Sequence, residues 1–180
     1  MRRSLVAALL LAGLAGGARG DELTRHEAPE GAFDVPASWK LETVADVSAP
    51  FAVRLTPPPS GKRAPVSTLL VLIGAKKLAD SDLETEAGGW HAAHLKNRVA
   101  WGVRSDGGMP RDLLRGPGGR RLVRYRDKVG SALGANEQSL TCGVFGGRLA
   151  CVIVFAGADA REDADALAAS VLASLTVKRR

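Results

Sequence analysis

The segment Thr141-Cys142-Gly143-Val144-Phe145-Gly146-Gly147-Arg148-Leu149-Ala150-Cys151 constrains the fold of this chain more than any other. Gly146-Gly147 lies between two apolar runs, and glycine supplies the positive φ that type I′ and II′ hairpin turns need. A two-residue turn at this point pairs 145 with 148, 144 with 149, 143 with 150 and 142 with 151. The chain has two cysteines, and this register sets them directly opposite each other. Pairs in an antiparallel ladder alternate, so a hydrogen-bonded 145/148 pair makes 142/151 non-hydrogen-bonded, with Cα atoms about 4.5 Å apart. That separation falls at the short end of the disulfide range. A Cys142–Cys151 cross-strand disulfide is therefore expected, with two buried free thiols as the alternative. The spacing is not Cys-x-x-Cys and neither sulfur has a Lys or His beside it in sequence, which argues against a redox pair. A two-thiol metal site lacks nearby partners.

The N-terminus bears on whether such a bond can persist. Arg2 and Arg3 precede an apolar run from Leu5 to Leu14, and Ala18-Arg19-Gly20 places small residues at the positions a signal peptidase reads, with Asp21 following. Residues 1–20 thus read as a secretory signal peptide. The apolar run falls short of the roughly 20 residues of a spanning helix. Cleavage near Gly20 would leave residues 21–180 as one globular domain, periplasmic or secreted, with no transmembrane segment in the mature chain. Such a location permits a disulfide. Cleavage would also remove three arginines from a chain whose formal net charge is +6.

Strand-like alternation recurs through Gly31–Pro36, Ser38–Val44 and Pro50–Thr56, and Val66–Ile73 is a nearly continuous apolar run suited to a central strand. Residues 21–30 read as loose. Residues 82–99 have helical spacing, with Leu83, Ala87, Trp90 and His94 on one side, extended by Leu95 and Val99. Ser81 with Glu84 suggests a capping box, and Gly88-Gly89 suggests a bend. Residues 100–117 look irregular or weakly extended. Residues 119–127 alternate again, and Lys128–Asn136 reads as a loop before the cysteine hairpin. A last helix begins near Asp159, with Glu162 as a second capping signal and an apolar stripe through Ala164, Leu167, Ala168, Val171, Leu172 and Leu175. Strands, helix, strands, helix, with hairpins rather than β-α alternation, define an α+β class: an antiparallel sheet with a mid-chain helix and a C-terminal helix packed on it.

Charge is unevenly spread. Between Arg98 and Lys128 lie nine cationic residues (Arg98, Arg104, Arg111, Arg115, Arg120, Arg121, Arg124, Arg126 and Lys128) against three carboxylates, Asp106, Asp112 and Asp127. Strand alternation places Arg120, Arg124 and Arg126 on one side, expected to face solvent. Arg104, Arg111, Arg115, Arg120, Arg124 and Arg126 form a candidate surface for an anionic partner, a protein or an envelope component. A solvated arginine-rich face is the alternative. Nucleic acid is not expected, because aromatic residues that could stack on bases make up only 4% of the chain.

His91 and His94 share a helix face and are weak candidates for a metal, since two ligands do not close a site. No cofactor is expected. Gly-x-Ser-x-Gly, His-Glu-x-x-His and the phosphate-loop pattern are all missing from the sequence. Glu84 and Glu86 sit at a helix start, where the macrodipole favours carboxylates.

Gly31-Ala32-Phe33-Asp34-Val35-Pro36-Ala37-Ser38-Trp39 resembles the opening F-x-V-P-x-x-W hairpin of the PsbP-like proteins, a group that includes bacterial envelope proteins such as DcrB. The closing part is similar too: a Gly-turn hairpin, an acidic helix start, then Ala173-Ser174-Leu175. The resemblance implies an α/β sandwich and a role in binding or assembly rather than catalysis. None of the family's binding residues carries over. The expected function is a non-catalytic exported binding or assembly factor of the bacterial cell envelope. The alternatives are a small-molecule or metal carrier and an enzyme of unrecognised type.

Overall fold

The structure, a computed structural model, describes residues 22–44, 49, 51–58, 66–100, 104–105, 111–131, 134–157 and 159–178. For 66–67, 97–100, 104–105, 129–131 and 134–136 the description is of backbone alone. The segment 1–20, expected to be a signal peptide, lies outside the described residues.

The described residues form two antiparallel sheets and two helices. A small sheet has the order β1 (Leu23–Glu27), β2 (Gly31–Pro36), β11 (Thr176–Val177). The large sheet runs β3 (Lys40–Thr43), β4 (Phe51–Thr56), β5 (Val66–Lys77), β10 (Arg148–Gly157), β9 (Gly134–Phe145), β8 (Arg121–Ser131). Two short strands, β6 (Arg104–Ser105) and β7 (Arg111–Arg115), both pair with β8. Helix α1 spans Leu83–Ala100 and α2 spans Arg161–Ser174. The fold is α+β, as the strand and helix order implies.

The hairpin at Gly146-Gly147 forms in the expected register, with Phe145 facing Arg148 and Cys142 facing Cys151. Both glycines have positive φ, 58° and 77°, which suits a tight hairpin turn. A Cβ on Gly146 would lie 2.7 Å from the Val177 carbonyl oxygen, so glycine also lets β11 approach the turn. Cys142 and Cys151 are joined as a disulfide with Cα atoms 4.1 Å apart, and both are fully buried. β10 is flanked by β9 and β5, so this covalent link sits in the middle of the large sheet.

The sheet is covered on both faces, which divides the core. One cluster packs α2 and β2, through Ala168, Leu172 and Phe33, on Val71, Val152 and Val154. The other packs α1, through Leu83 and Ala87, on Val123, Leu140, the disulfide and Ile153. The two helices thus lie on opposite faces. Alternation in β10 sends Val152 to one cluster and Ile153 to the other, and its apolar residues leave no polar face.

Several local expectations are corrected. Residues 23–27 are strand β1 rather than loose chain, because they pair with β2 from Ala32 to Pro36. Residues 128–131 and 134–136 continue the β8 and β9 ladder, with Ser131 facing Gly134, rather than forming a loop. Part of the irregular stretch supplies β6 and β7. Helix α1 is unbroken through Gly88-Gly89. A Cβ on Gly88 would come within 3.3 Å of the Tyr125 hydroxyl, which gives that glycine a packing reason. Neither capping box forms. A 3-10 turn at Asp80–Asp82 precedes α1, where Asp82 accepts a hydrogen bond from the Ala79 N–H, and Ala160 occupies the start of α2.

Reducing the disulfide, or replacing both cysteines by serine, should lower unfolding stability by about 2–3 kcal/mol, the chain-entropy value for so short a loop. Urea unfolding with and without reductant measures it.

Candidate functional site

The site is built on β8, whose alternation distributes its charged residues between two environments. Leu122, Arg124 and Arg126 face α2, and Arg121, Val123, Tyr125 and Asp127 face α1. On the α2 face, one carboxylate takes two guanidinium groups. Asp165 Oδ2 accepts from Arg124 at 2.7 Å and from Arg126 at 2.6 Å. The Arg124 Nε–H also reaches the Thr141 hydroxyl at 3.2 Å, and Asp112 stands 3.6 Å from Arg126 Nε. The arginine side chains keep only 11% and 17% of their exposure. Burial pulls the Arg124 pKa below its usual value, against the opposing pull of Asp165. The row expected to face solvent is therefore split: Arg124 and Arg126 are clamped beneath α2, while Arg120 is exposed, its guanidinium 4.2 Å above the Phe145 ring.

Beside the clamp, Arg126, Glu137, Ser139, Arg161 and Asp165 line a small cavity of about 10 Å³, at the lower limit of what admits one water. The buried Ser139 hydroxyl and Arg126 Nε have no hydrogen-bond partner among the described residues. Arg161 closes this side with two bonds to Glu137, at 2.9 and 3.1 Å. A separate open groove of about 240 Å³ runs along the small sheet between Arg25, Gly31, Thr176 and Lys178.

On the α1 face the arginines are exposed. The β7–β8 register sets Arg115 directly opposite Arg121 and Arg111 opposite Tyr125. Arg111 and Arg121 share one carboxylate, Glu84 of α1, at 3.0 and 2.9 Å. Like charges facing each other across a ladder repel, so the Arg115/Arg121 pair is under-compensated. Between Arg111 and Arg115 lies Leu113, 58% exposed. Arg121 was absent from the expected surface because alternation set it opposite Arg120; the pairing of β7 with β8 brings it beside Arg115. Arg104 lies in β6 opposite Gly130, placed by its backbone alone.

The two histidines diverge. The buried face of α1 is Leu83, Ala87 and His91, spaced by four, instead of the side that ends at His94. His91 is 1% exposed, stacks on Tyr125 with ring centroids 4.5 Å apart, and places Nε2 2.7 Å from Asp127 Oδ2. His94 Nε2 lies 3.3 Å from Gln138 Oε1. The two Nε2 atoms thus have different partners. No group of three or more His, Cys, Asp or Glu side chains among the described residues is placed to hold a metal ion. Asp127 and Gln138 face each other across β8 and β9, with Asp127 Oδ1 and Gln138 Nε2 buried and without a hydrogen-bond partner among the described residues.

An antiparallel sheet with a helix on each face and a strand-turn-strand opening defines a PsbP-like fold. The structure resembles the solution structure of cyanobacterial PsbP (CyanoP) from Synechocystis sp. PCC 6803 with a TM-score of 0.57 and 16% identity, over 93% of this chain and 99% of that one. At that identity the likeness concerns the fold alone. No family model matches the sequence, and no curated protein matches it. No helix among the described residues is long and apolar enough to cross a membrane.

Two outcomes are expected. Asp165→Ala leaves two largely buried guanidinium groups facing each other and should cost about 3–5 kcal/mol in urea unfolding. The second mutation Arg126→Gln should recover part of that loss. Tyr125 is the single tyrosine of the chain, and burial raises its phenol above the usual 10.0. An ultraviolet pH titration should show it ionising later than free tyrosine. The folded state then holds the proton more tightly than the unfolded state. The stability it contributes is complete below the ordinary value and falls as pH rises from there through the raised one.

Proposed function

We propose that this protein is a non-catalytic exported binding or assembly factor of the bacterial cell envelope, which holds an anionic partner against the β7–β8 end of its large sheet. The observation that carries this reading is Arg115 standing opposite Arg121, with Arg111 alongside and Glu84 shared between two of the three. Such a cluster costs energy in the free protein and is relieved when an anion arrives. The exposed Arg120 adds to the basic end of the sheet. The buried arginines serve differently, because Asp165 already neutralises much of their charge and α2 covers them.

Export is supported by the signal-like residues 1–20 and by a buried disulfide, a bond that oxidising compartments preserve. A PsbP-like fold is compatible with binding in place of catalysis.

The test is capture from native cell envelope on immobilised mature protein, eluted with a salt gradient. Wild type should retain a stoichiometric anionic component that salt releases, since exposed charges are screened within about 10 Å at 0.1 M. Arg115→Glu with Arg121→Glu should abolish retention while leaving the unfolding midpoint close to wild type. Equal retention by that variant would remove the proposed surface from consideration.

A further inference from the structure

The surface just proposed is also a sheet edge, and the inference rests on that reading. Among the described residues β7 pairs with β8 alone, so its other side offers backbone N–H and C=O groups to an incoming strand. Charged side chains on an edge govern which strands can add to it. On the α1 side β7 presents Arg111, Leu113 and Arg115, at positions i, i+2 and i+4. The arginines repel a second copy of the same edge. They accept a strand bearing carboxylates, and the exposed Leu113 between them calls for an apolar contact.

We infer that the open edge of β7 takes an acidic extended segment of a partner protein as an additional strand. The period of a strand is two residues, so the matching segment reads acidic-x-apolar-x-acidic. Its two carboxylates lie beside Arg111 and Arg115, and its apolar side chain covers Leu113. The pattern reads the same in both directions, so parallel and antiparallel addition both satisfy it. The intervening positions face the other side of the sheet. There Asp112 stands near Arg126 and Leu114 packs against the core, so neutral residues suit them. Main-chain hydrogen bonds supply affinity and the alternate side chains supply selection. A carboxylate beside Arg115 also offsets its repulsion with Arg121, a pair that Glu84 reaches from one side only.

The probe is the end-blocked peptide Thr-Asp-Thr-Leu-Thr-Asp-Thr, titrated into the intact mature protein by calorimetry. Two derivatives carry N-methyl groups on the backbone, one at the odd positions and one at the even. In a strand, alternate N–H groups point to opposite edges, so strand addition predicts that one derivative binds like the parent and the other at least about tenfold more weakly. Amide hydrogen exchange at residues 111–115 should slow with the parent peptide only when that edge is covered. Two derivatives that bind equally, or a parent peptide that does not bind, overturn strand addition. If heparin or polyglutamate still binds through Arg115 and Arg121 in that case, the basic surface stands and its partner is a polyanion held by charge alone.

Discussion

Strand register, fixed by the two-residue turn at Gly146-Gly147 and held by the Cys142–Cys151 disulfide, is the constraint on which the rest of this structure depends. β9 and β10 occupy the middle of the large sheet, and both neighbours, β5 and β8, take their alignment from them. A slip of one residue would exchange the two faces of a strand. Here that would send Val152 to the α1 side and Ile153 to the α2 side. It would also bury Cys151 away from Cys142. The disulfide and the turn specify the same alignment by independent means, which gives a sheet covered on both faces a unique pairing.

The register passes outward through β9 to β8 and decides what each arginine can do. Arg124 faces Thr141, so it projects toward α2 and meets Asp165. Tyr125 and Asp127 project the other way and meet His91. One strand thus anchors both helices, α2 by charge and α1 by a stacked and hydrogen-bonded imidazole. Arg121 pairs with Glu84 in the first turn of α1 but keeps about half of its exposure, and β7 adds Arg111 and Arg115 to the same exposed face. The basic segment of the sequence is therefore two populations, one clamped and largely buried beneath α2 and one exposed beside Glu84, open to a partner.

How much of this was legible in the sequence follows from the range of the interactions. The hairpin register could be read because a glycine pair, two cysteines and period-two alternation all lie within a short stretch. The apolar stripe of α2 was legible for the same reason. The solvent-facing row of Arg120, Arg124 and Arg126 was not, because Asp165 lies on another element and alternation alone does not say which face a helix will cover. An aspartate beside Ala164 and Ala168, on the stripe that meets the sheet, was the available clue. His91 was masked by an equally good helical pattern through Trp90 and His94. Leu23–Glu27 and Arg111–Arg115 were missed as strands because both are polar edges, stabilised by pairing more than by burial.

The separation of structural from available arginines is the central claim, and NMR of the arginine Nε–H groups during titration with polyglutamate tests it most directly. The account predicts that the Arg115 and Arg121 signals shift progressively and return with added salt, while those of Arg124 and Arg126 stay in place. Movement of the Arg124 and Arg126 signals, with Arg115 and Arg121 unchanged, would contradict it.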